Sequence, residues 1–462
     1  MKSFLRIWLL LCFCASVSAD NYRLVGAARL TGFDVLARKL TGLAQQAAPE
    51  AKALPVVMVA AMSFNPNFAA FDLTDPIVVG YYLPTPTPGQ PPRQEPPLWC
   101  LAVSVSGGGV PDSLRLMGRD AFVKTVGGKA LISWSQPLLD SLSAPPPVKE
   151  TDHDLYLWLN AGEYCRHLPA DLQESKDFLF QEVMAPFGAA DNPAAAADLR
   201  LRLEYVEKIL RQSGETEVTV DLLPHEIQVE VHIVPEKASF LGGFIAAQQH
   251  KPPLPKRTTA AVSLAAGFTP YAPAVEGVNA FCAALSGWDK AKEYRAEAEF
   301  FRQLFAGCGG QGTMTVNPGP DGEQVVAWVA SRQAPDLKPF PQDAATGLYR
   351  VSLDGARRSI FVRPGPAEVR LAAGKVDAAT AVKWLSPAST VSAEITMPSD
   401  PSLLLAGTWR TRSGEDALDI TGRAPAGSLD FHGDLRVPLL KVIFPRLVRR
   451  IGDAASGSMG RK

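Results

Sequence analysis

The chain has no excess of charge of either sign: 46 Lys and Arg stand against 47 Asp and Glu in 462 residues. A protein that binds nucleic acid displaces counterions with clustered cations, so this near balance excludes that class of partner. After its N-terminus the chain also has no apolar run approaching the roughly 18 residues that a membrane-spanning helix needs. Histidine and cysteine are scarce, at six each. No H-E-x-x-H pair, no C-x-x-C and no G-x-S-x-G elbow occurs. A helical zinc site, a dithiol redox centre and a serine nucleophile on a strained turn therefore have no local signature. No cofactor and no metal is expected.

The first residues, MKSFLRIWLLLCFCASVSAD, carry Lys2 and Arg6, an apolar run from Ile7 to Ala15 and the small residues Val17-Ser18-Ala19. That is the pattern of a secretory signal peptide over residues 1–19, with cleavage near Ala19. The mature chain is expected to be exported, to the bacterial periplasm or beyond, without a transmembrane segment. Acylation at Cys12 or Cys14 is the weaker reading, because Leu11 and Phe13 stand where a small residue would be needed. Cleavage would leave Cys100, Cys165, Cys282 and Cys308. An oxidising compartment permits disulfides. Cys282 with Cys308, in one helical region, is the pair expected if any forms, and four buried thiols is the other reading.

Periodicity gives the elements. Phe33, Leu36, Leu40 and Leu43 fall on one face of a helix. IVVGYYL and LWCLAVSV read as strands, and Gly127-Gly128 as the turn of a hairpin. Val218, Val220 and Leu222, then Ile227, Val229, Val231 and Ile233, alternate strictly with polar residues, as in antiparallel strands with one wet face. Between the first two strands lies PTPTPGQPPRQEPP, with seven prolines in the fourteen residues Pro84–Pro97. Its counterpart later in the chain is only NPGPDG, which makes the proline segment an enlarged hairpin tip.

Self-similarity runs along the chain in constant order. AARLTGFDVLA is echoed by VSLAAGFTPYA, and FVKTVGGKALISWSQPLLDSL by IFVRPGPAEVRLAAGKVDAATAVKWL. DLYLWLNAGE is matched with VSAEITMPSD, 237 residues on, and Ser213-Gly214-Glu215 with Ser413-Gly414-Glu415, 200 residues on. The expected fold is α+β: two similar lobes from a tandem duplication, each an antiparallel sheet packed by helices. The first lobe covers 20–250, with a helical insert at about 168–205. A linker at 251–259 follows, then a shorter lobe at 260–452 and a disordered tail at 453–462.

Candidate chemistry is sparse. GCGGQG, Gly307–Gly312, fits G-x-G-x-x-G, but it follows a helix and precedes a strand, the reverse of a dinucleotide site, so it reads as a helix cap and turn. Asp152, His153 and Asp154 cluster just before a strand and read as a solvated turn. Cys165 and His167 would share a face on a strand, where a structural cysteine beside a surface histidine is expected. The C-terminal PLLKVIFPRLVRRIG is a basic amphipathic helix, read as packing on the core, with a membrane surface as the alternative.

With FDLTDPIVVGYYL before a paired strand and a self-similar second half, the chain resembles a loosely defined group of exported bacterial two-lobed α+β proteins. That resemblance implies no activity and no site residues. The expected function is a non-catalytic exported binding or scaffold module whose partner is an envelope protein or an apolar small ligand. The alternatives are a hydrolase with a site assembled from distant residues and a carrier of an apolar ligand between curved sheets. Catalytic residues are unknown at this level.

Overall fold

The computed structural model describes residues 14–15, 22–49, 70–85, 98–107, 109–116, 119–167, 210–236, 238–252, 254–255, 257–258, 260–271, 295–319, 322–353, 358–374, 376–385, 394–395, 400–411 and 414–441. The proline tip from residue 86, the insert at 168–205, Cys282 and the tail lie outside these, so the Cys282–Cys308 pairing falls on an undescribed residue. The architecture is mostly antiparallel sheet with few helices, as an α+β reading requires. No helix among the described residues is long and apolar enough to cross a membrane.

Contacts divide the chain into two units, one of residues 1–179, 206–236 and 432–462 and one of 180–205 and 237–431. The first unit is built from strands β1 (Tyr22–Leu30), β2 (Ile77–Pro84), β3 (Leu98–Val105), β4 (Ser113–Leu116), β5 (Arg119–Val126), β6 (Lys129–Ser133), β7 (Leu155–Asn160), β8 (Ser213–Leu222) and β9 (Glu226–Pro235). Helices α1 (Phe33–Ala47), α2 (Gln136–Ser141) and α3 (Ala161–His167) join them. The strands lie side by side in the order β4-β5-β6-β3-β2-β1-β7-β8-β9, every pair antiparallel. A two-residue strand, Cys14–Ala15, also pairs with Gly26 and Val25 of β1.

Each hairpin follows from its sequence. Gly127 and Gly128 take φ of 58° and 77°, so the two-residue turn between β5 and β6 has the left-handed pair that suits the strand twist. β2 and β3 pair with Tyr82 opposite Leu98, so the proline segment joins antiparallel neighbours. One sheet face carries Leu24, Tyr82, Cys100, Ala102 and Leu131 under Leu138 and Leu139 of α2. The opposite face at β8 and β9 meets α1, where Leu43 and Ala47 pack on Leu222 and on Leu440, at the start of the C-terminal helical segment. Both ends of α2 are held. Ser135 Oγ accepts from Leu138 N at 3.3 Å, and Lys124 Nζ, reaching from β5, donates to the carbonyls of Leu139, Asp140 and Leu142 at 2.9, 3.3 and 2.8 Å.

Burial pushes the Cys100 thiol up to about 12. A rise of that size leaves about a thousandfold less thiolate at neutral pH. Cys100 should therefore resist iodoacetamide in the native protein and label at the ordinary rate in 6 M guanidinium; native labelling at the unfolded rate would show the β2–β3 core to be open.

The second unit contains β10 (Val262–Gly267), β11 (Cys308–Gly319), β12 (Gly322–Ser331), β13 (Tyr349–Leu353), β14 (Arg358–Pro364), β15 (Glu368–Gly374), β16 (Leu403–Arg410) and β17 (Asp416–Arg423). Their order is β13-β14-β15-β12-β11-β10-β16-β17, again antiparallel throughout. Among the described residues, helices α4 (Phe240–Ala247), α5 (Arg295–Ala306) and α6 (Ala378–Leu385) belong here. Phe300 and Leu304 of α5 pack on Val351, Ile360, Val362 and Val369, while Ala381 and Leu385 of α6 cover Phe361 and Ala372 on the other face. Arg363 and Arg370 donate to the Leu385 carbonyl at 3.4 and 3.3 Å and so cap α6.

Three sequence expectations change. The strand beside β10 is Leu403–Arg410 and not the VSAEITMPSD segment, of which Glu394–Ile395 pairs instead with Arg257–Thr258. Residues read as linker thus contribute a short strand. The contact units also exchange ends relative to the lobes read from sequence, since residues 237–250 group with the second unit and the segment from His432 with the first. The GCGGQG run does join a helix to a strand, as expected. Gly307 closes α5 through its N–H to Gln303 at 2.9 Å. Gly310, with φ of 88°, forms a bulge in β11, and its carbonyl accepts from Phe268 N at 2.7 Å, so close that a Cβ would strike the Phe268 carbonyl oxygen.

Candidate functional site

The strict alternation of β8 and β9 fixes which side chains share a face, and the registers fix which of them meet. Thr219 lies between Tyr156 of β7 and Glu230 of β9, and Glu217 between Trp158 and His232. The valines at 218 and 220 turn to the other face, toward the core under α1. The segment 149–153 runs ahead of β7 and lies over this polar face. Together they enclose a groove of about 210 Å³ in the first unit. Its floor is Tyr156, Glu217 and Thr219; one wall is Lys149, Thr151 and His153, and the other is Glu230 and His232.

The polar side chains around the groove are tied in pairs. His153 Nδ1 is 2.7 Å from Asp221 Oδ2. Lys149 Nζ is 3.7 Å from Glu217 and 5.8 Å from the centre of the Tyr156 ring. Strand β18 (Leu429–Arg436) brings His432, whose Nδ1 is 3.3 Å from Glu230 and whose Nε2 is 3.0 Å from Asp434. Arg436 Nε reaches Glu226 at 3.3 Å. Tyr156 is buried, and burial first, with the charge and hydrogen bond of Glu217 after it, raises its phenol well above the usual tyrosine range. It therefore stays protonated and donates to Glu217.

Beneath the groove runs an ionic chain centred on one buried carboxylate. Asp154 is 2% exposed, and both of its carboxylate oxygens accept from Lys39 Nζ at 2.7 Å. Oδ2 also accepts from Leu222 N at 2.8 Å, and Asp154 N donates to Asp221 Oδ1 at 3.2 Å. The expectation of a solvated turn at Asp152-His153-Asp154 is corrected at Asp154 alone; Asp152 is exposed and His153 partly so. Asp154 is an interior anchor joining α1, β7 and β8, and through Asp221 it positions His153 at the groove wall. Polarity alone does not reveal the burial of Asp154, because the partners that bury it lie 115 and 68 residues away in sequence.

Other candidates come apart. Cys165 and His167 lie on α3 and not on a strand, and Cys165 is buried. His225, in the turn between β8 and β9, meets Gln46 of α1 at 2.9 Å and is remote from the groove wall that His232 forms. Among the described residues no three His, Cys, Asp or Glu side chains are placed to hold a metal ion. A second polar cluster went unread in the sequence: Ser104 Oγ accepts from Lys129 Nζ at 2.6 Å and donates to Asp75 Oδ2 at 2.5 Å. Lys129 and Asp75 are themselves 3.9 Å apart. The hydroxyl is fixed between opposite charges, and that arrangement ties the loop before β2 to the β3–β6 pair.

The groove's other residues did have a signal in the sequence. Alternation alone puts Glu217, Thr219 and Asp221 on one face and Gln228, Glu230 and His232 on one face; a tight turn near Pro224 makes those faces the same. The missing link was the 149–153 segment, whose position over the strands has no periodic signature. No family model matches the chain, and no curated protein and no solved structure is similar to it.

Proposed function

We propose that the protein is an exported, non-catalytic binding module of the bacterial periplasm or envelope, with two sheet units derived from one duplicated sequence. The observation that carries the binding reading is the groove over Thr219: it lies on the wet face of β8 and β9, whose other face is core, and its carboxylates already have internal partners. Such a site offers hydrogen bonds and shape. Its polar walls favour a polar ligand over the apolar one that a carrier built on the alternating strands would take. The apolar face of β8 and β9, which a carrier of an apolar ligand would need, is occupied by Leu43, Ala47 and Leu440.

Two features support the duplication. Eight strands follow one order in both units, and the element that ends each β-hairpin–helix segment is capped in the same way. Lys124 faces Leu131 across the β5–β6 hairpin, and Arg363 faces Arg370 across β14–β15; each cation reaches the C-terminal carbonyls of the helix that follows. In the second unit Thr408 faces Asp419 across β16–β17 and Ser263 across β10–β16, where the first unit has Tyr156 between Thr219 and Arg29.

Export is tested by expressing the full chain in a Gram-negative host and weighing the periplasmic product. The expected species begins at Asp20. A product that keeps residues 1–19, with Cys14–Ala15 still available to pair with β1, would overturn the export part of the reading.

A further inference from the structure

We infer that the groove over Thr219 takes one ring of a neutral, hydroxyl-rich ligand, that is, a saccharide unit; this rests on the reading of the groove as a binding site. The argument is one of charge and hydrogen bonding. Glu217 is matched by Lys149 and by the Tyr156 phenol, Asp221 by His153, and Glu230 by His432. A charged ligand would have to displace one of these internal partners, and so trades one contact for another. A hydroxyl donates and accepts at once, so it adds bonds to a carboxylate, an imidazole or a threonine without breaking a pair.

Size points the same way. The groove holds about 210 Å³, less than the roughly 300–1,000 Å³ of sites that enclose a drug-sized molecule. One ring fits over the floor, and the rest of a longer chain would run out between the wall of residues 149–153 and that of Glu230 and His232. Thr219 is the centre of the floor and faces away from the core, so it can be changed without touching the packing under α1.

The test is saturation-transfer difference NMR on the mature full-length protein, with maltotriose, cellotriose and triacetylchitotriose as neutral probes. Lysine, glutamate and glycine betaine serve as charged probes. At least one trisaccharide should give a saturable signal that Thr219→Arg, which fills the groove, abolishes. The nearly isosteric Thr219→Val should weaken the signal about tenfold, the scale of one or two lost hydrogen bonds in a partly dry site. Both variants should melt within about 2 °C of the parent, as surface-face substitutions do. Signals from the charged probes alone, lost in Thr219→Arg, would overturn the saccharide assignment and keep the binding site. No Thr219-dependent signal from either set, with the parent protein folded, would overturn both.

Discussion

Asp154→Ala is expected to destabilise the first unit by about 3 kcal/mol, the scale for removing one partner of a buried charge pair. The substitution strips Lys39 of both its 2.7 Å contacts and leaves the Leu222 N–H without its acceptor inside a region that is 2% exposed at Asp154. Lys39 is 38% exposed and can turn to water, which lowers the cost below that of a fully enclosed pair. The Leu222 N–H has no such escape. Differential scanning calorimetry should show one transition moved down and a second left in place, since Asp154 belongs to the first unit alone. Lys39→Met removes the other charge but leaves Asp154 its backbone donor, so it should cost less than Asp154→Ala. If Lys39→Met cost more, the pair and not the hydrogen-bonded carboxylate would be the anchor.

The same residue shows where reading the sequence stops. Patterns repeated within a few positions are legible: Leu36, Leu40 and Leu43 of α1 face the sheet as their spacing requires, and Val220, Leu222 and Ile227 meet them from the alternating strands. Glycine-127 and -128 turn the β5–β6 hairpin because no other pair takes two positive φ values so readily. What periodicity does not carry is the partner across the sheet. DLYLWLNAGE resembles VSAEITMPSD in pattern, yet the strand that takes the corresponding place beside β10 is LLLAGTWR, because pairing is chosen by burial and register together and both are non-local. The candidate site suffers the same limit. Its two alternating strands were visible, but the wall that makes them a groove is irregular chain, and the histidine on that wall is held by an aspartate 68 residues away.

Leu440→Asp separates the two readings of the basic C-terminal segment. Leu440 is 2% exposed and lies among Leu43, Ala47 and Leu222, with Leu36, Leu40 and Leu435 around them. A carboxylate there has no cation within this apolar cluster and cannot reach water without lifting residues 437–441 off α1. The expected loss is about 4 kcal/mol, from the leucine's lost transfer energy and the penalty for an unpaired polar group. The first unit's melting transition should fall and native-state hydrogen exchange in β8 and β9 should quicken, because their apolar face would lose its cover. A segment that works on a membrane surface predicts otherwise: Leu440→Asp would leave the melting curve unchanged and abolish binding to vesicles with anionic headgroups, where the apolar side of a basic helix dips below the phosphates. The sign of the Leu440 effect on stability therefore decides the role. Val437 N donates to the His225 carbonyl at 3.0 Å, so the segment leaves β18 already joined to the β8–β9 turn, at the spot where Leu440 then meets α1.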